Sequence, residues 1–170
     1  MDFEFTSVER VIIGTIGLPG EREFFLQVIS EGRAFSFAME KGQAAALSGR
    51  MRELLREIRR RKGSGFVQTA TSPVDDAPLQ LPVESEFRLG EMSLMWMDEE
   101  EQVLFQAKNA EEGKDDDSSK LSISLRIEQV SEFIRRTDRI VGAGRAPCPF
   151  CGLPLNLEGH LCPRANGYRR

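Results

Sequence analysis

Between residues 33 and 62 the spacing of apolar side chains changes from two to three-and-four. In residues 33–39 (RAFSFAM), Phe35, Phe37 and Met39 share one side while Ser36 and Ala38 take the other, the alternation of a half-buried strand. From about Gly42 to Lys62, apolar residues stand at Ala44, Leu47, Met51, Leu54, Leu55 and Ile58, which is one stripe of a helix. Gly63-Ser64-Gly65 then supplies a stop and a turn. The same change recurs later. Leu121, Ile123, Leu125 and Ile127 alternate with Ser122, Ser124 and Arg126, and Val130, Phe133, Ile134 and Ile140 follow at helical spacing over about 128–140. A chain that twice passes from strand to helix within a few residues must layer helices against sheet.

Residues 10–16 (RVIIGTI), 22–29 (REFFLQVI), 85–97 (SEFRLGEMSLMWM) and 101–108 (EQVLFQAK) have the β-branched and aromatic content of strands. Residues 2–6 (DFEFT) offer a short edge strand. Pro19-Gly20 suits the two central positions of a type II turn between the first two. Residues 66–83 hold three prolines and little periodicity, which predicts a connecting loop. Residues 109–119 form a charged, apolar-poor loop.

Three strands and then a helix therefore occur twice, and the halves can be laid over one another. Phe25-Leu26-Gln27 sits over Leu104-Phe105-Gln106, and 35–40 (FSFAME) over 123–128 (ISLRIE), with Ser36 on Ser124 and Glu40 on Glu128. The expected fold class is α+β: two βββα-type repeats forming antiparallel sheet with helices on one face, plus a C-terminal zinc knuckle. The expected boundaries are a duplicated domain over 1–142, with halves of about 1–65 and 84–142, and a tail over 147–170.

Net charge is −4, which argues against nucleic-acid binding through overall charge. It is unevenly spread, with basic residues gathered at 50–62 and again from Arg135 to Arg170. Residues 98–101 (DEEE) and 111–117 (EEGKDDD) are acidic. Arg59, Arg60, Arg61 and Lys62 suit the negative end of the first helix. No apolar run approaches the roughly 18 residues of a membrane span. The N-terminus, MDFEFTSVER, lacks a basic-then-apolar secretory pattern. A cytoplasmic location is expected.

After a linker at Gly142–Pro147 come all three cysteines and the single histidine, spaced Cys148-x2-Cys151-x8-His160-x-Cys162. Cys-Pro-Phe-Cys alone would suit a thioredoxin-like dithiol, whose attacking thiol sits at the start of a long helix. Gly152 and Pro154 oppose a helix there, and nineteen residues remain after Cys151, too few for the rest of such a fold. The Cys-Pro-x-Cys-Gly turn brings two thiolates to one ion. His160 and Cys162, two apart, point the same way in an extended segment. Cys148, Cys151, His160 and Cys162 together make a closed tetrahedral Cys3His set, so the expected cofactor is structural zinc. A segment this short has no core of its own, so metal binding would supply its folding energy.

These residues carry a family resemblance. Residues 14–22 (GTIGLPGER), 24–27 (FFLQ), 78–83 (PLQLPV) with 86–88 (EFR), and the tail 148–155 (CPFCGLPL) with 160–170 (HLCPRANGYRR) resemble a mainly actinobacterial family known as domain-of-unknown-function family 3090. The resemblance covers nearly the whole chain and implies a bacterial cytosolic protein that carries the Cys148, Cys151, His160, Cys162 ligand set. It brings no established activity.

Three function classes follow. A non-catalytic protein-interaction or regulatory module is the first, with an unidentified protein partner. A nucleic-acid-binding protein is the second, using Arg164, Tyr168, Arg169 and Arg170 beside the zinc tail. An enzyme with its site in the α+β body is the third. No catalytic residue is named, because the only histidine is claimed by the metal and no phosphate-cradling glycine loop or nucleophile elbow occurs.

Overall fold

The computed structural model describes residues 1–18, 20–63, 73–111 and 118–143. Among these residues seven strands and two helices follow in the order β1 (Phe3–Phe5), β2 (Arg10–Ile16), β3 (Glu23–Ser30), β4 (Arg33–Met39), α1 (Lys41–Lys62), β5 (Ser85–Met97), β6 (Gln102–Asn109), β7 (Lys120–Arg126) and α2 (Ile127–Gly142). The α+β class expected from the sequence is observed. Local chemistry sets the turns. Between β2 and β3 the Glu21 N–H donates to the Leu18 carbonyl at 2.9 Å, with Gly20 at φ 93°. Between β3 and β4, Glu31 and Gly32 both have positive φ, 52° and 74°, the two-residue turn whose twist matches paired strands.

All seven strands join one sheet in the order β1-β7-β6-β5-β4-β3-β2. The expectation of a purely antiparallel sheet is corrected here. β4 pairs β5 in parallel, as β1 does β7, and the other neighbours are antiparallel. The connection is the reason: α1 and the residues between it and β5 make a long crossover, which a parallel pair needs and a hairpin turn cannot supply.

The two ends of the strand order are neighbours in sequence, since β1 ends at Phe5 and β2 begins at Arg10. The sheet curls to allow this. Phe3 on β1 stacks edge-on with Phe35 and Phe37 of β4, at centroid distances of 5.9 and 5.4 Å, and meets Phe87 of β5 at 6.0 Å. Residues 3–16 thus serve two neighbours, β7 and then β3, just as β5 serves β4 with its first residues and β6 with its remainder.

Paired contacts recur in the two three-strand units. Gln27 donates to Ser36 Oγ at 3.1 Å, and Gln106 to Ser122 Oγ at 3.3 Å. At the helix starts, Gln43 accepts from the Glu40 N–H and donates to the Leu89 carbonyl. Gln129 accepts from the Arg126 N–H and donates to the Val8 carbonyl. These contacts match Ser36 with Ser122 and Glu40 with Arg126, two residues away from the sequence-based pairing with Ser124 and Glu128.

The main core takes α1 through Ala44, Leu47, Met51, Leu55 and Ile58, and α2 through Ile127, Val130, Phe133 and Ile140. The helices also join through Asp138, which accepts from Ser48 at 2.6 Å and pairs with Arg52. Strands β2 and β3 are buried on both faces. Val11, Ile13, Phe24 and Leu26 face the main core, whereas Ile12 and Phe25 join Leu79 in a second cluster outside it. That explains why β2 and β3 are continuous apolar runs, not alternations.

Candidate binding cavity and the strap beside it

The predicted metal ligands Cys148, Cys151, His160 and Cys162, and the predicted contact residues Arg164, Tyr168, Arg169 and Arg170, lie outside the described residues. Among the described residues no group of three or more His, Cys, Asp or Glu is placed to hold a metal ion. What the fold does assemble is a strap and a cavity.

The strap is residues 73–84, the described part of the predicted connecting loop. It has no regular secondary structure, yet side chains from both halves hold it down. Arg10 forks onto the Asp75 carboxylate at 2.6 and 2.8 Å and donates to the Ala77 carbonyl at 2.7 Å. The Asp75 N–H donates to Glu132 at 2.7 Å. Arg136, only 3% exposed, donates to the carbonyls of Ile13, Asp75 and Ala77 at 2.8, 3.0 and 2.7 Å. Gln27, fully buried, donates to the Gln80 carbonyl and accepts the Gln80 N–H at 3.0 and 2.8 Å. Those two bonds let the strap satisfy its backbone as an extra strand would.

Leu79 closes over Gly14 of β2. A Cβ at Gly14 would stand 2.4 Å from Leu79 Cγ and Cδ2, well inside van der Waals contact. Gly14→Ala is therefore expected to destabilise the fold by about 1–3 kcal/mol through overpacking. Leu79→Ala in the same chain should recover part of that loss, and a urea-unfolding double-mutant cycle reads the coupling. Strictly additive losses would show that the two sites do not meet.

Charge at the strap is arranged to keep carboxylates ionised. The hydrogen bond from Arg10 is the main cause holding Asp75 below its ordinary 3.8, and Arg135 does the same for Asp76 and for Glu132. Burial instead pushes the Arg136 guanidinium down. A carboxyl with a lower pKa when folded binds protons more readily when unfolded. Its contribution to stability is complete above the unfolded value and lost as pH falls through the folded one. The thermal midpoint is expected to drop with acid below about pH 4, and Asp75→Asn to flatten that drop. An equally steep fall in the variant would remove Asp75 from the acid response.

At the other end of the strap a cavity of about 530 Å3 opens between the β2–β3 turn, the end of β4, the start of α1 and the start of β5. Phe24 and Met39 border it from the core side of the sheet and Phe25 and Val83 from the strap side, and Arg22, Lys41 and Arg88 line it from three separate elements. The Arg22 guanidinium lies 5.1 Å from the Phe24 ring centre and donates to the Ile140 carbonyl at 3.2 Å, so two contacts fix its direction. Arg88 pairs with Glu40 at 2.7 Å. Sequence reasoning did not name these three cations as site residues. One signal was there: Arg22 and Arg88 sit in the stretches GTIGLPGER and EFR that carried the family resemblance.

The model of the family described as "Protein of unknown function (DUF3090)" matches residues 3–162. This chain belongs to that family. The matched span includes the strands β1 to β7, the helices α1 and α2 and the strap, and it reaches Cys162. For this DUF3090 chain, no curated protein and no solved structure gives a match.

Proposed function

We propose that this DUF3090 protein is a non-catalytic protein-interaction or regulatory module of the cytoplasm, its tail folded on structural zinc. The observation that carries the reading is the confinement of all three cysteines and the one histidine to the spacing Cys148-x2-Cys151-x8-His160-x-Cys162. Thiolates and imidazole in that mixture suit Zn²⁺, and four protein ligands leave no position for water or substrate. Three thiolates and a neutral imidazole around the ion carry one net negative charge, which Arg145, Arg164, Arg169 or Arg170 can offset. A non-catalytic body is supported by the carboxylates of Asp75 and Asp76 on the strap and of Glu132 on α2. All three are shifted down and committed to arginines, the reverse of what a general acid needs. The body itself we read as an internal duplication, supported by the Gln27–Ser36 and Gln106–Ser122 bonds and by the matching roles of Gln43 and Gln129.

Elemental analysis is expected to find one equivalent of zinc in the purified protein and none in Cys148→Ser. Affinity capture with and without residues 147–170 is expected to lose partners along with the tail. Identical partner sets would remove the tail from the contact. A second reading rests on the basic groups and single tyrosine at Arg164, Tyr168, Arg169 and Arg170. Salt-dependent binding of single-stranded nucleic acid, weakened by Arg169→Ala with Arg170→Ala, would move the function there.

A further inference from the structure

We propose that the cavity beside the strap binds a small organic oxyanion, a carboxylate or phosphate carried on an apolar body. The inference stands apart from the zinc reading, since none of its residues lies in the tail. A volume of about 530 Å3 is the size of a metabolite site. Its cations come from places far apart in sequence, Arg22 before β3, Lys41 at the start of α1 and Arg88 on β5, so only the fold brings them together.

Each cation is available to a ligand. Lys41 makes no ion pair among the described residues. Arg22 spends one contact on the Ile140 carbonyl and lies over Phe24, which pre-orients its remaining donors. Among the described residues Arg88 is held by Glu40 alone, in a pair whose side chains are 44% and 71% exposed. Such a pair contributes little, so an incoming oxyanion can take the place of Glu40. Glu23 and Glu40 also border the cavity, leaving three cations against two carboxylates. Half-buried Val83 and the edges of Phe24, Phe25 and Met39 offer the ligand's body apolar contact, and its negative group meets the guanidinium forks.

The test titrates the full-length protein with benzoate, phenyl phosphate, inorganic phosphate and benzylamine, followed by amide chemical shifts. Benzoate or phenyl phosphate is expected to bind saturably, shifting the amides of residues 22–25, 39–41 and 88, and more tightly than inorganic phosphate. Removing one charge-assisted contact in Arg88→Gln or Lys41→Gln is expected to weaken binding about tenfold, while Arg56→Gln on the exposed face of α1 leaves it unchanged. Both Arg88 and Lys41 are exposed, so either variant keeps the test open if the other fails to fold. The proposal is overturned by an absence of saturable binding, by equal binding in Arg88→Gln and Lys41→Gln, by equal weakening in Arg56→Gln, or by preference for benzylamine.

Discussion

Arg136→Ala is expected to lower the thermal midpoint by roughly 10 °C, the largest loss from any single change at the strap. The guanidinium is 3% exposed and donates to three carbonyls, those of Ile13, Asp75 and Ala77. Alanine takes the side-chain donor from the Ile13 carbonyl and one of two donors from the Asp75 and Ala77 carbonyls, opens a cavity, and strips Asp75 of a cation 3.6 Å away. Losing one member of a buried charged network costs about 3–5 kcal/mol, and a chain of this size loses about 2–4 °C per kcal/mol. Lysine should not rescue, because a single ammonium cannot span carbonyls on β2 and on the strap as a planar fork does. The strap should also become the first site of limited proteolysis. A midpoint within about 2 °C of wild type, less than 1 kcal/mol at that scale, would mean that Arg136 is dispensable.

Phe37→Ala should destabilise the fold by about 3–5 kcal/mol. Phe37 on β4 is fully buried, and its ring meets Phe3 of β1 at 5.4 Å and Phe87 of β5 at 5.0 Å, both edge-on. It therefore ties together three strands, one of which stands at the far end of the sheet order. Aromatic pairs of this geometry add about 0.5–1.5 kcal/mol beyond burial. The change should lower the urea midpoint and accelerate hydrogen exchange along β1 and β7, where the sheet closes. Phe37→Leu, which keeps most of the volume, should cost less than about 1.5 kcal/mol. Equal losses in both variants would show that ring packing is not what holds the closure.

The strap joins these stability effects to the candidate binding cavity. Val83 and Ser85, at its end and just beyond, border the cavity, while Asp75 to Gln80 are clamped by Arg10, Arg136 and Gln27. Loosening the clamp therefore moves one wall of the cavity. Ligand affinity should fall with strap stability even though Arg136 does not line that cavity.

The amino-acid sequence by itself determined the secondary structure almost residue by residue, because period two, period three-and-four and glycine-bearing turns are local properties. The strands at 10–16, 33–39 and 85–97 and the helix starting near Gly42 needed no tertiary contact to be legible. The sequence likewise determined the Cys3His spacing of the tail. It could not decide what lies against the second face of β2 and β3. The runs VII and FFL read only as strands, and the cover is the proline-rich strap, whose composition resembles an open loop. Nor could it decide which of Arg135, Arg136 and Arg139 goes inside. All three are on α2, yet of the three only Arg136 is buried and reaches the Ile13 carbonyl of β2. Parallel pairing, sheet closure through the Phe3–Phe37 contact and the gathering of Arg22, Lys41 and Arg88 all depend on residues dozens of positions apart. Only the tertiary structure decided them, because burial and charge pairing are energies between neighbours in space, while periodicity records only neighbours along the chain.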